Sequence, residues 1–255
     1  GKTVFPGLVG MHNHIYYIAR PNLDSSGHSD DPAVLPQMTF SAPRLYLAGW
    51  VTTMRTTGSV EPFADLNLKH RIDSGTMPGP HMDVTAPYLE GKGSPFIQMG
   101  QLASAEDARR SVEFWANQGI TSFKAYMNIT SAELKAASEE AHRRGLKITG
   151  HLCSVTYPEA VAAGIDNLEH GFFANTQLDP GKAADTCTKD KGIATLAAMD
   201  PDGLEARALI ALLVAHHVAL TSTLPVFEIY SPNYRTLPPE QLALMSPEAR
   251  IDYFS

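Results

Sequence analysis

Three stretches of the chain repeat one pattern: a helix-period run closes on a glycine, and a short apolar run follows at once. "SAEDARRSVEFWANQG" leads into "ITSFKAYM", "SAELKAASEEAHRRG" into "LKITGHLC", and "PEAVAAG" into "IDNLEHG". Gly119, Gly145 and Gly164 stand where a helix exits through a left-handed residue, a conformation that glycine enters without steric cost. Ser104 with Asp107 marks a helix start, and Thr130 with Glu133 fits a capping box. Helix, glycine and strand in repeated order predict an α/β fold of parallel strands joined by crossover helices.

The same pattern predicts seven strands, near residues 4–12, 50–56, 81–86, 121–127, 146–152, 165–170 and 218–224. Helices are expected over 39–48, 61–73, 104–118, 131–144, 156–163 and 203–216, with a further short helix around 181–191 inside the long connection 172–200. Beyond the seventh strand the chain is rich in proline and polar residues, and no further strand is predicted. Seven strands could complete a doubly wound sheet; in an eight-stranded barrel they leave a gap.

Composition narrows the partners. The chain has 255 residues, 44% of them hydrophobic and 18% charged, which fits one large globular domain with a sizeable core. A net charge of −7 without any block of Lys or Arg argues against nucleic acid. No apolar run is long enough for a bilayer-spanning helix, so no membrane partner is expected. Two cysteines, Cys153 and Cys187, do not make a disulfide framework, and their redox state is open. The chain opens on Gly1 without an initiator methionine, which leaves localisation unread.

Each predicted unit ends on a potential ligand. Lys124, His151 and His170 lie five or six residues after Gly119, Gly145 and Gly164, and His12 and His14 close the first strand. Alternate residues of a strand point the same way, so His12 and His14 can share a target while Asn13 points elsewhere. Neutral imidazole is the commonest metal ligand, and the carboxyl ends of barrel strands carry active sites. The shared phase across strands one, four, five and six predicts a metal site. His70 is read as helical and structural, His142 as a surface residue of a helix, His216 and His217 as closing a helix, and His28 and His81 remain open.

At this point "PGLVGMHNH" resembles the strand-one signature of the amidohydrolase superfamily, Pro-Gly-hydrophobic-hydrophobic-Asp-x-His-x-His. "FKAYM", "TGHLC" and "NLEHG" are similar to its strand-four lysine, strand-five histidine and strand-six histidine. The branch most resembled is the imidazolonepropionase-related, prolidase-like one. The resemblance implies a (β/α)8 barrel, here truncated at both ends of residues 1–255 to strands one to seven. It implies one or two divalent metals, zinc foremost. His12 and His14 would hold the more buried ion, His151 and His170 the more exposed one, and a CO2-derived carbamate on Lys124 would bridge them. In such enzymes a bridging hydroxide attacks the substrate while a strand-eight aspartate moves the proton.

Three departures accompany the resemblance. Gly10 replaces the strand-one Asp, the usual amino-terminal β-sandwich is lacking, and the strand-eight Asp would lie after residue 255. No catalytic residue is therefore assigned, and a fragment inactive by itself is expected. Unpaired edges on strands one and seven would invite association, so a homo-oligomer is one expectation. The implied reaction is hydrolysis of an amide or peptide C–N bond in a small molecule: an Xaa-Pro dipeptide, an N-acyl amino acid or a cyclic amide. The alternatives are a mononuclear hydrolase of the imidazolonepropionase type and an inactive barrel that binds metal. Arg55, Tyr126, His28 and Tyr88 are the expected substrate contacts by position.

Overall fold

The computed structural model describes residues 2–19, 33–228, 236–243, 245 and 247–254. Seven parallel strands occur among them: β1 (Leu8–Asn13), β2 (Val51–Thr56), β3 (His81–Asp83), β4 (Ser122–Ala125), β5 (Lys147–Gly150), β6 (Asn167–Glu169) and β7 (Ala219–Thr221). They form two sheets, ordered β1-β2-β3 and β4-β5-β6-β7. Isolated parallel bridges Thr85↔Ser122 and Leu89↔Ala125 join the chain after β3 to β4. Each strand neighbours the next in sequence, as staves of a βα-barrel do. A doubly wound sheet needs a reversal of strand order, and none occurs among the described residues.

The major crossover helices are α1 (Ser41–Ala48), α2 (Pro62–Asp73), α3 (Ala105–Asn117), α4 (Ser131–Arg143), α5 (Tyr157–Ala162) and α7 (Leu204–Ala215). Their starts follow local chemistry. The Ser104 side chain accepts the Asp107 N–H, and Thr130 with Glu133 closes a reciprocal capping box. A second box joins Thr156 to Glu159 at α5. Gly119, Gly145 and Gly164 have φ of 90°, 70° and 88°, the left-handed exits expected of them. Helices α3 and α4 pack together, and Arg144 ties them by reaching Glu140 at 2.6 Å and Glu113 at 3.3 Å.

The core runs between these helices and the strands, through Met54, Met82, Phe123, Leu134, Ile148 and Leu168, all at most 1% exposed. Apolar burial of this kind contributes about 25 cal/mol per Å² and holds the strands in place.

Two expectations differ from the structure. Strand one begins at Leu8, because residues 2–7 make no ladder bonds before Leu8 N–H reaches the Trp50 carbonyl at 2.8 Å. The expected helix at 181–191 is a series of turns, and a helix, α6, instead occupies Ile193–Ala198. The reason lies in Asp179. Its carboxylate accepts from Thr188, from Gly192 N–H at 2.8 Å, and from Thr195 N–H and Oγ1 at 2.9 and 2.7 Å, which folds the loop around one anion. Cys153 and Cys187 are joined as a disulfide, which anchors this loop to the chain after β5. Three short helices, α8 (Leu224–Phe227), α9 (Pro239–Leu242) and α10 (Pro247–Phe254), follow β7. No helix of the described residues is long and apolar enough to cross a membrane.

Candidate active site

A cavity of ≈ 900 Å³ opens at the carboxyl ends of the strands, and His12, His14, Lys124, His151 and His170 all border it. His12 is the penultimate residue of β1, Lys124 lies in β4, and His14, His151 and His170 each lie one residue past a strand. Ring centroids are 5.2 Å apart for His12–His14, 4.7 Å for His12–His170 and 4.4 Å for His151–His170. Asn13, expected to point away, also borders the cavity, and its amide donates to the Arg55 carbonyl at 3.5 Å.

Sequence reasoning missed Glu169. It is fully buried and accepts four bonds: Oε1 takes Arg55 Nη2 at 2.6 Å, Asn167 Nδ2 at 2.9 Å and the Thr149 hydroxyl, while Oε2 takes His12 Nδ1 at 2.8 Å. Strand alternation would send Glu169 and His170 to opposite faces. The chain avoids this because His170 adopts a left-handed backbone with φ 68°, followed by Gly171 at 61°. That conformation costs a non-glycine residue roughly 1–2 kcal/mol, and it lets neighbours serve one site. The signal was an acid two residues after Asn167 on one strand face.

Burial sets the electrostatics. It lowers the pKa of His12, against the raising effect of the Glu169 hydrogen bond. Burial and neighbouring cations push His14 and His151 well below the ordinary imidazole value, and His170 down to about 3. Lys124 falls to about 7, again through burial, with Glu169 opposing and Arg55 assisting. Burial would raise Glu169, but the His12 hydrogen bond and the charges of Lys124 and Arg55 hold it at about 2. The site thus presents neutral imidazoles around an ionised carboxylate.

The donor set fits a cation. His12 donates its Nδ1–H to a carboxylate, which leaves the Nε2 lone pair available. His170 Nδ1 pairs with Thr223 Oγ1 at 2.7 Å. His14 Nδ1 is buried without any hydrogen-bond partner, a costly state that a bound ion relieves. The side chains do not form a finished cage: among the described residues no three His, Cys, Asp or Glu groups are set around a single ion position.

The remaining expected contacts divide. Tyr88 and Tyr126 border the cavity, with ring centroids 4.8 Å apart. The close approach of Tyr88 depends on Gly58, whose φ is 97° and where a Cβ would sit 2.3 Å from the ring. The Tyr88 hydroxyl bonds that of Tyr16. Arg55, expected at the substrate, instead pairs with Glu169 and donates to the Met11 carbonyl at 3.0 Å, and it does not border the cavity. The guanidinium is the charge that balances Glu169. His28 lies outside the described residues. Away from the cavity, His142 meets Asp166 at 2.9 Å and His81 meets Asp73 at 3.5 Å.

Solved structures place this arrangement among known folds. An amidohydrolase superposes with a TM-score of 0.60 at 19% identity, over 99% of this chain and 61% of its own. A candidate prolidase from Bifidobacterium longum gives 0.57 at 20% identity, over 98% and 53%. A prolidase complexed with N-methylphosphonate-L-proline gives 0.54 at 15%, over 97% and 60%. The fold is similar to that of these three proteins. This chain spans 53–61% of the length of these three proteins. No family model and no curated protein matches the sequence.

Proposed function

We propose that the chain is the barrel portion of a metal-dependent amidohydrolase that cleaves an amide or peptide C–N bond, in the prolidase-like branch. Its seven strands are read as staves of a (β/α)8-type barrel. The observation that carries the reading is the convergence of four imidazoles and one buried lysine, from four different strands, on one cavity.

His12, His14, Lys124, His151 and His170 would hold one or two divalent ions, and zinc suits this imidazole set. Such an ion, when bound, supplies a hydroxide at neutral pH and polarises the substrate carbonyl. The chain's own residues do the rest. Glu169 fixes the tautomer and direction of His12, and Thr223 steadies His170. Lys124, lowered to about 7, offers the neutral amine that carbamate formation requires. Tyr16 against His14 and Tyr126 against His151 pack aromatic faces beside two of these imidazoles.

The test is zinc stoichiometry of the purified chain after equilibrium dialysis, beside hydrolysis of a blocked aromatic amide. One or two zinc ions per chain are expected, with His151→Ala retaining less than half. Two ions with a carbamylated lysine favour the binuclear reading, and one ion with free lysine the mononuclear one. Absence of zinc from folded protein refutes the proposal.

A further inference from the structure

The disulfide joins residues 34 apart in the chain, and both of its arms lead to the cavity. Cys153 follows His151 by two residues, and the long connection that carries Cys187 starts directly after His170. The rings of His151 and His170 face each other with centroids 4.4 Å apart. The bond thus links the segments downstream of two facing imidazoles. It is the covalent member of a seam. Along that seam Thr176 Oγ1 donates to the Cys153 carbonyl at 2.8 Å and Lys182 Nζ to the Ser154 carbonyl at 2.6 Å. Asp185 Oδ1 accepts the Ser131 N–H at 2.6 Å. Each hydrogen bond competes with water and is worth little alone, whereas the disulfide restricts the chain whether or not they are made.

The two sulfurs differ in access. Cys153 is fully buried. Cys187 is half-buried, and residues 183–186 and 189–191 on either side of it are exposed. Exchange proceeds by attack of a thiolate on one sulfur, and exposed disulfides are the labile ones. An incoming thiolate therefore meets Cys187 Sγ, with Cys153 Sγ as the leaving group. The inner fold of the connection has its own support, since Asp179 holds the Gly192 and Thr195 N–H groups at 2.8 and 2.9 Å. Breaking the S–S bond releases the connection at the seam without melting it, and removes a tether two residues from His151.

We propose that Cys153–Cys187 is a reversible thiol–disulfide exchange site, opened by a dithiol at Cys187, and that opening it loosens the His151 side of the cavity. One thiolate of the dithiol bonds to Cys187 Sγ and expels Cys153 as a thiolate, which takes up a proton. The second thiol then attacks the dithiol's own sulfur in the mixed disulfide, closes the reductant into a disulfide and releases Cys187 as a thiol. Two electrons pass from the dithiol to the protein, and its two protons end on the two cysteines. The inference rests on the proposed function only in taking zinc as the ion the cavity holds.

The full chain is treated with dithiothreitol without denaturant, and amide hydrogen exchange is compared before reduction, after it and after reoxidation. Exchange at Ser131 and over 151–155 is expected to rise at least about tenfold, to stay within about twofold at Gly192 and Thr195, and to return on reoxidation. Glutathione, a monothiol, is expected to be trapped on Cys187 rather than Cys153, read by peptide mass. Zinc affinity is measured by dialysis on the oxidised chain and on Cys153→Ala/Cys187→Ala, which has no thiol to bind the ion. The variant is expected to bind zinc at least about tenfold more weakly. A disulfide that yields to dithiothreitol only once the whole chain unfolds overturns the inference, as does glutathione on Cys153. A rise in exchange that includes Gly192 and Thr195, or equal zinc affinity with and without the disulfide, overturns it too. The expected exchange pattern with no zinc bound in either form upholds it and counts against the hydrolase reading.

Discussion

Strands β4–β6 and the flanking strands β1 and β7 deliver similar chemistry from different surroundings. Every residue of β4 is buried, and β5 and β6 each expose little beyond their first residue. In β1, by contrast, Leu8, Val9 and Met11 are 59%, 62% and 49% exposed, and Leu220 of β7 is 43% exposed. The difference follows from pairing. β4 to β6 have ladder or bridge partners on both sides, whereas β1 pairs with β2 and β7 with β6 on one side only among the described residues. Lys124, His151 and His170 thus hang from a packed wall, and His12 and His14 from an open margin. Glu169 connects the two regions, since it rises from β6 and holds Arg55 of β2 and His12 of β1. A wall strand is positioned by its core, and a margin strand by whatever specific bonds reach it.

The sharpest way to break this comparison is Glu169→Ala. It strands the Arg55 guanidinium and releases His12, so a loss of about 3–5 kcal/mol in urea unfolding is expected. If the proposed zinc site forms, its affinity should fall about 10–100-fold. Glu169→Gln, which keeps acceptor oxygen for Arg55, should lose clearly less of both. An alanine variant as stable as the parent would show that the two regions are not joined here.

Phe123→Ala in β4 and Val9→Ala in β1 test the wall against the margin directly. The fully buried phenyl should cost about 3–5 kcal/mol. The exposed valine should change stability by no more than about 0.5 kcal/mol. Similar urea midpoints for the two variants would contradict the assignment of wall and margin.

Glu90 offers a smaller, pH-dependent probe where the sheets meet. Its Oε1 accepts from Gly91 N–H at 2.9 Å and Asn128 N–H at 2.8 Å, and its Oε2 is buried without a partner. Burial lifts its pKa from 4.5 to about 7. The folded state therefore keeps a proton that the unfolded chain releases. This contribution is complete below about pH 4.5 and is lost as pH rises through about 7. Glu90→Gln should match the parent near pH 4.5 and exceed it at pH 8 by up to about 3 kcal/mol. Parallel melting curves at the two pH values would remove Glu90 from the account.

Much of the fold was readable because its signals are local. Capping at Ser104 and Thr130, glycine exits at Gly119, Gly145 and Gly164, and apolar runs after each are set by neighbours within a few residues. The shared phase of Lys124, His151 and His170 was readable for the same reason, since it counts from those glycines. The loop around Asp179 was not, because its helix pattern at 181–191 gives way to bonds that converge from Thr188, Gly192 and Thr195. Arg55 was misplaced because a strand-end arginine shows its charge in sequence but not its partner, 114 residues away.

By itself the sequence determined where the main crossover helices lie, that parallel strands follow them, and that His12, His14, Lys124, His151 and His170 share a strand-end position. Those features depend on short-range sterics and periodicity. The tertiary structure alone decided that Glu169 and His170 serve one site, that Arg55 is neutralised behind it, and that Tyr16 and Tyr46 join Tyr88 and Tyr126 at the cavity. Such facts depend on the left-handed turn at His170 and on contacts between distant strands, which no local pattern encodes.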